Sequence, residues 1–141
     1  MSPSIVCDAS AVVAMLVDGG SDGEWATSVL SDADLLAPHL VLFEAANVLR
    51  RLAGAGLVSA DQAVQGHVDL MDLQMDLWPY ELVAARSWQL RDSLSIYDAS
   101  CVAVAELTGA TLATLDGRIG RAPGLRCEVV SPGAGGSKEA I

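Results

Sequence analysis

Basic charge, histidine, paired cysteines and phosphate-loop glycines are all scarce here, and each scarcity closes off a class of function. Gly19-Gly20 lacks the following lysine and the GxGxxG spacing of a phosphate-binding loop. His39 and His67 are isolated, and no serine or cysteine sits at a nucleophile elbow, which argues against a catalytic triad. Cys7, Cys101 and Cys127 lie in apolar segments with no CxxC and no nearby histidine, so neither a disulfide framework nor a zinc site is expected. A reduced, cytoplasmic setting suits them. No uninterrupted apolar run is long enough to span a bilayer, and the start MSPSIVC has no basic n-region, so a soluble protein is expected.

The formal net charge is -10, the pI is about 4.3, and the only lysine is Lys138, the other basic residues all being arginine. That balance excludes binding to nucleic acid by overall charge. A nuclease is not excluded, because a local arginine groove with bound divalent cations holds phosphates against an unfavourable whole-molecule field. With 141 residues the chain can bury one substantial core. Hydrophobic residues at 52% and a mean hydropathy of +0.40 leave apolar surface for an oligomer or partner to cover.

Short apolar runs alternate with longer helical patterns. Strands are expected at Ser4 to Cys7, Leu35 to Ala37 (closed by Pro38), Leu77-Trp78, Thr111 to Leu115 and Cys127 to Val130. Helices are expected from Ala9 through AVVAMLV, from Glu24 to Leu30, from His39 to about Ala53, and from a Ser59/Gln62 capping box to about Gln74. Two more should cover Glu81 to Leu94 and Tyr97 to Leu107, the latter ended by Gly109. This order predicts an α/β fold with a central parallel sheet covered by helices on both faces, and ligands beyond the carboxyl ends of its strands. The folded domain should occupy 1–131, with 132–141 a loose tail.

Asp8, Glu44, Asp98 and Asp116 each end an apolar stretch (SIVCD, LVLFE, SIYD, LATLD) where a core residue would be usual. Each has a plainer reading. Asp8 and Asp98 can be helix N-caps, Asp116 an Asp-Gly turn residue, and Glu44 one half of an ion pair with an arginine such as Arg51. Taken together, they can converge on one cleft. Two carboxylates about 4 Å apart repel by roughly 4 kcal/mol at an effective dielectric near 20, so such a cluster needs cations or protons. Oxygen ligands favour Mg²⁺ or Mn²⁺ over zinc. The three tryptophans, Trp25, Trp78 and Trp88, are expected in the core, and the remaining acids in solvent.

The blocks IVCDASAVVAML, LFEAANVLRR and SIYDASCVAVAELTGATLATLDGRI resemble the PIN domain, and within it the VapC-type ribonuclease toxins of type II toxin-antitoxin systems. The resemblance spans about the first 130 residues, in the family's order and spacing. It implies a three-layer fold, Mg²⁺-dependent cleavage of structured RNA (commonly transfer RNA), a homodimer, and a protein antitoxin whose basic segment enters the acidic cleft. By position, Asp8, Glu44, Asp98 and Asp116 match the family's acids, and Ser10 and Thr114 its small hydroxyl residues; Asn47 and Arg50 match its polar cleft residues more loosely. On this reading Asp8, Asp98 and Asp116 hold the metal, Glu44 handles the attacking water, and Ser10, Asn47, Arg50 and Thr114 meet the substrate. Gly117 departs from the family, which commonly has a bulkier residue after the fourth acid.

Three rivals share parts of this pattern. A response-regulator receiver needs a late core lysine that is missing here, and a haloacid-dehalogenase-like phosphatase wants a second aspartate where Ser10 stands. A catalytically silent binding protein would use the same acids only to dock an arginine-rich peptide.

Overall fold

The computed structural model describes residues 1–133. Most of the tail expected at 132–141 therefore lies outside the described residues. Five parallel strands, β1 (Ser4–Cys7), β2 (Asp34–Pro38), β3 (Met75–Trp78), β4 (Thr111–Ala113) and β5 (Val129–Val130), form one sheet in the order β3-β2-β1-β4-β5. The chain begins at the sheet's centre, builds to one edge, then crosses back to build the other. The reversal falls between β1 and β4, where Val6 pairs with Leu112 and Cys7 with Ala113. A crevice is expected beyond the carboxyl ends of strands at such a switch point.

Alternation along the strands makes the two faces. Ile5, Cys7, Leu35, Ala37 and Ala113 point into one apolar cluster, while Val6, Leu36 and Leu112 point into the other. Helices α1 (Ala9–Val17), α2 (Ser21–Leu30), α3 (Val41–Gly54) and α4 (Ala60–Asp72) pack together on the first side. Helices α5 (Tyr80–Gln89) and α6 (Ile96–Thr108) cover the second. None of these helices is long and apolar enough to cross a membrane.

The local signals behind these elements are legible. Ser59 and Gln62 form both bonds of a capping box at α4. Gly109, at φ +73°, ends α6 in the left-handed conformation that glycine adopts without a Cβ clash. Helix α2 starts three residues before the expected Glu24, and Gly23 explains how: a Cβ there would stand 1.8 Å from the Asp18 carbonyl oxygen, so only glycine lets α2 begin this close to the end of α1.

Several expectations need correcting. Helix α5 stops at Gln89 rather than Leu94, because turns after Leu90 carry the chain toward α6, with Leu94 N–H donating to Leu90 O at 3.0 Å. Strand β4 ends at Ala113, two residues early, and a one-turn 3₁₀ helix, η1 (Ile119–Arg121), follows. Trp88 is 59% exposed on the outer side of α5, with the Arg91 guanidinium 4.7 Å from its ring centre, so it is not a core residue. Nor is Glu106 solvated, since it pairs with Arg86 through Nε at 2.7 Å.

Candidate active site

Asp8 leaves β1 in extended conformation and caps α1, so the N-cap reading is correct as far as it goes. It is also only 4% exposed, in the crevice between β1 and β4. Its Oδ1 accepts from Ala11 N–H at 3.0 Å and from the Ser10 hydroxyl at 2.7 Å, and its Oδ2 accepts from the Thr114 hydroxyl. Those hydroxyls reach further. Ser10 Oγ accepts from Leu115 N–H at 3.0 Å, and Thr114 Oγ1 from Asp116 N–H at 2.9 Å. Ser10 and Thr114 thus lie in the site with their protons committed to Asp8, and they lash the end of β1 to the segment after β4. That commitment also explains why β4 stops early.

Asp98 occupies the first turn of α6, but the cap is Ser95, whose Oγ accepts from Asp98 N–H at 3.1 Å. The plain cap reading of Asp98 is therefore displaced to Ser95. No backbone N–H or guanidinium donates to the Asp98 carboxylate among the described residues. Burial, joined by the charges of Asp8 and Asp116, pushes its carboxyl up, against the Ser95 hydroxyl and Arg118. Asp8 is pushed up by burial, and Asp116 adds to this, while the Thr114, Ser10 and Ala11 bonds work the other way. Asp116 goes down instead, chiefly because Arg118 bonds to it. These three acids, drawn from β1, α6 and the turn after β4, form one electrostatically coupled group. Asp98, Asp116 and Arg118 line a cleft of about 350 Å³ with Ser93, Ser95 and Ile119.

The coupling stops short of a preformed cage. Among the described residues, no three of the His, Cys, Asp and Glu side chains stand together closely enough to enclose an ion. The fork of Arg118 occupies Asp116: Nε meets Oδ1 at 2.9 Å and Nη2 meets Oδ2 at 2.8 Å.

Glu44 lies in the first turn of α3, half-buried, just past the end of β2. It has no hydrogen-bonded or ion-paired partner among the described residues, so the pairing with Arg51 is not made. Asn47 lies one turn further along on the side of Glu44, and Arg50, a turn beyond and further round the helix, donates from Nε to Asn47 Oδ1 at 3.0 Å. Neither is bonded to the three coupled acids.

A sequence model of the PIN domain matches residues 5–125. The chain is 34% identical over 126 residues to Ribonuclease VapC1 of Mycobacterium tuberculosis, covering 88% of this chain and 94% of that protein. The chain belongs to the PIN domain family, in its VapC branch. Among solved structures, VapC20 of Mycobacterium tuberculosis, described as a Sarcin-Ricin loop cleaving toxin, superposes with a TM-score of 0.62 at 18% identity, covering 84% of this chain and 95% of that one. VapBC-5 of the same organism, a member of the VapBC family of toxin-antitoxin systems, gives 0.56 at 19% identity, covering 91% and 98%. At those identities the two structures speak for the PIN fold alone. Membership sets aside the receiver and phosphatase alternatives.

Within the PIN framework, one residue was missed. Tyr97 precedes Asp98 on α6, and its hydroxyl oxygen accepts from Ala9 N–H at 2.9 Å. It therefore pins the turn bearing Asp98 against the turn bearing Asp8. Burial raises its pKa far beyond the usual tyrosine range, so it stays neutral. The sequence holds no signal for this bond, which joins residues 88 positions apart. Cys7, behind Asp8, is likewise held neutral, its thiol pushed up to about 12 by burial and by the Asp8 charge.

Proposed function

We propose that this chain is a divalent-metal-dependent endoribonuclease and the toxin of a toxin-antitoxin pair, acting in the cytoplasm on structured RNA, with transfer RNA the first substrate to try. The observation that carries the reading is the mutual coupling of Asp8, Asp98 and Asp116 at the sheet's switch point. Burial first, and then the neighbouring carboxylates, raise Asp8 and Asp98 above the usual aspartate range, and a bound cation would relieve that cost. The donor set fits a small hard cation. Asp8 Oδ2 accepts one hydroxyl and keeps a lone pair, and Asp98 carries neither backbone nor arginine donors. All the available donors are oxygens, which favours Mg²⁺, with Mn²⁺ as a substitute.

When bound, such an ion polarises the phosphodiester and lowers the pKa of an attacking water. The chain's residues do the rest. Asp8, fixed by Ser10, Thr114 and Ala11, is the rigid ligand; Asp98 is the ligand held in place by Tyr97. Asp116 completes the set once its carboxylate is free. Glu44, on a separate element and without a partner of its own, is the residue we assign to orient or deprotonate the water. Asn47 and Arg50 extend from it along α3 toward the RNA strand.

Exposed apolar side chains support the partners. Phe43, at 72% exposure beside Glu44, is joined in exposure by Leu57 after α3 and by Val64, Val68 and Met71 on α4, apolar surface suited to an antitoxin whose basic segment continues into the acids. Tyr80, Leu82 and Trp88 on α5 and Leu107 on α6 are also exposed, apolar surface that a second copy of the chain could cover.

The test is cleavage of a transfer RNA pool by the purified chain with Mg²⁺ and with EDTA, beside the Asp98→Asn variant. Cleavage should need the metal and vanish in the variant. Metal-independent cleavage, or undiminished cleavage by the variant, rules the mechanism out.

A further inference from the structure

Arg118 is the guanidinium that lies on a candidate metal ligand, and little else holds it there. Its fork covers both oxygens of Asp116, and its own backbone N–H adds a third bond to Oδ1 at 3.0 Å. The side chain is otherwise 81% exposed. A cleft of about 520 Å³ opens beside it, lined by Asp116, Gly117, Arg118, Arg121 and Ser131 among others. Gly117 lines this cleft, and a Cβ there would make ordinary contact with Ser131 Oγ at 3.5 Å and an Arg121 Nη at 3.7 Å. The glycine that departs from the family pattern thus lies between the acid and a second arginine. Asp116 and Arg118 also line the cleft that holds Asp98, so the two spaces adjoin.

We propose that Arg118 competes with the cation for Asp116, capping the carboxylate while no ion is bound and, once displaced, joining Arg121 in the adjoining cleft to hold an RNA phosphate next to the scissile bond. The inference rests on the nuclease reading above. A dication outbids a single exposed guanidinium for a carboxylate, because a solvent-exposed arginine bridge contributes little. The released fork matches the geometry of a phosphate as well as that of a carboxylate. Metal loading and substrate capture are then linked through one side chain, and each favours the other.

The decisive measurement is calorimetric titration of the full chain with Mn²⁺ alone, in the absence of RNA. Arg118→Ala should bind Mn²⁺ about two- to fivefold more tightly than wild type, the range set by an exposed ion pair. Arg118→Lys, which keeps the charge but cannot fork across both oxygens, should show a smaller gain. Arg121→Ala removes the same charge from the same cleft without touching a hydrogen bond to Asp116, and should change the affinity by less than about twofold. In cleavage assays Arg118→Ala should raise KM about fivefold with a smaller change in kcat.

Unchanged or weaker Mn²⁺ binding by Arg118→Ala overturns the proposal. An equal gain in Arg121→Ala does so too, since general charge rather than competition would then be the cause. If wild type neither binds Mn²⁺ nor cleaves RNA, the nuclease reading falls and this inference falls with it. If wild type does both and Arg118→Ala fails to bind more tightly, only the inference falls.

Discussion

Helix α6 carries two partly buried acids with opposite fates. Glu106, near its end, receives Arg86 Nε at 2.7 Å, Arg86 Nη2 at 3.1 Å and the Arg126 N–H at 2.7 Å. Burial alone would push its carboxyl up, but these donors together hold it below the usual range. Asp98, in the first turn, has comparable reason to find a partner and meets two further carboxylates instead. The chain evidently can supply an arginine to an acid on this helix. An acid left without an arginine fork is what the proposed metal would use, whereas Glu106 binds the loop after η1 to the fold, with Arg86 also donating to Gly124 O at 2.7 Å.

The sharpest way to break this contrast is to neutralise each acid. Asp98→Asn should lower the RNA cleavage rate at least about a hundredfold, as loss of a metal ligand or its support does. Its metal-free stability should hold or rise, because the substitution removes a repelled charge. Glu106→Gln should do the reverse, leaving cleavage per folded molecule within about twofold while lowering unfolding stability by about 1–3 kcal/mol, the cost of stripping a charge-assisted network. Cleavage rates and denaturant unfolding in EDTA check both. A Glu106→Gln protein that folds well and fails to cleave would erase the distinction.

A smaller effect is expected from Tyr97→Phe, which removes the acceptor for Ala9 N–H and leaves that donor unpaired near the start of α1. The cost should be about 1–2 kcal/mol in stability, with reduced Mn²⁺ affinity because Asp98 is no longer pinned toward Asp8. Thermal melting and metal titration read the two parts separately. Loss of stability with full metal affinity would reduce Tyr97 to a packing residue.

What could be read from residue order was mostly local. The Ser59/Gln62 box, the Gly109 stop and the alternating strands each depend on neighbours within a few positions, and the structure contains them. The strand-end position of Asp8 follows from the same local pattern, whereas Asp116 lies three residues beyond β4, in the turn. Legibility failed where the decision was long-range. The apolar spacing through Leu90 and Leu94 suits a continuing α5, yet a turn delivers both residues to the core equally well. Glu106 looks like any solvated helix acid until Arg86, twenty positions back, folds against it. Trp88 reads as core from its size, though Val83 and Ser87 take the buried side of α5. In the site, the Arg118 fork spans only two positions in the chain, but a side-chain direction chosen between Asp116 and solvent leaves no trace in composition or spacing.

The smallest expected effect is in the pH dependence of metal-free stability, where the two classes of acid should bend the curve in opposite directions. Asp8 and Asp98 have raised folded-state values, so the stability they contribute is complete below the unfolded aspartate value of about 3.9 and is lost as pH rises through their folded values. Glu106 and Asp116 have lowered folded-state values. Their contribution is present above about 4, near their unfolded values, and is lost as pH falls through the lowered ones. In EDTA, Asp98→Asn should therefore match wild type in strong acid and exceed it at pH 7. Glu106→Gln should match wild type in strong acid and fall below it at pH 7. Adding Mn²⁺ at pH 7 should lift wild type above its EDTA value and leave Asp98→Asn nearly unmoved, since the ion binds the folded site and not the unfolded chain. Urea unfolding at a few pH values between 3 and 7 reads all three curves. Parallel curves for the two variants would mean that the acids of α6 do not differ in kind.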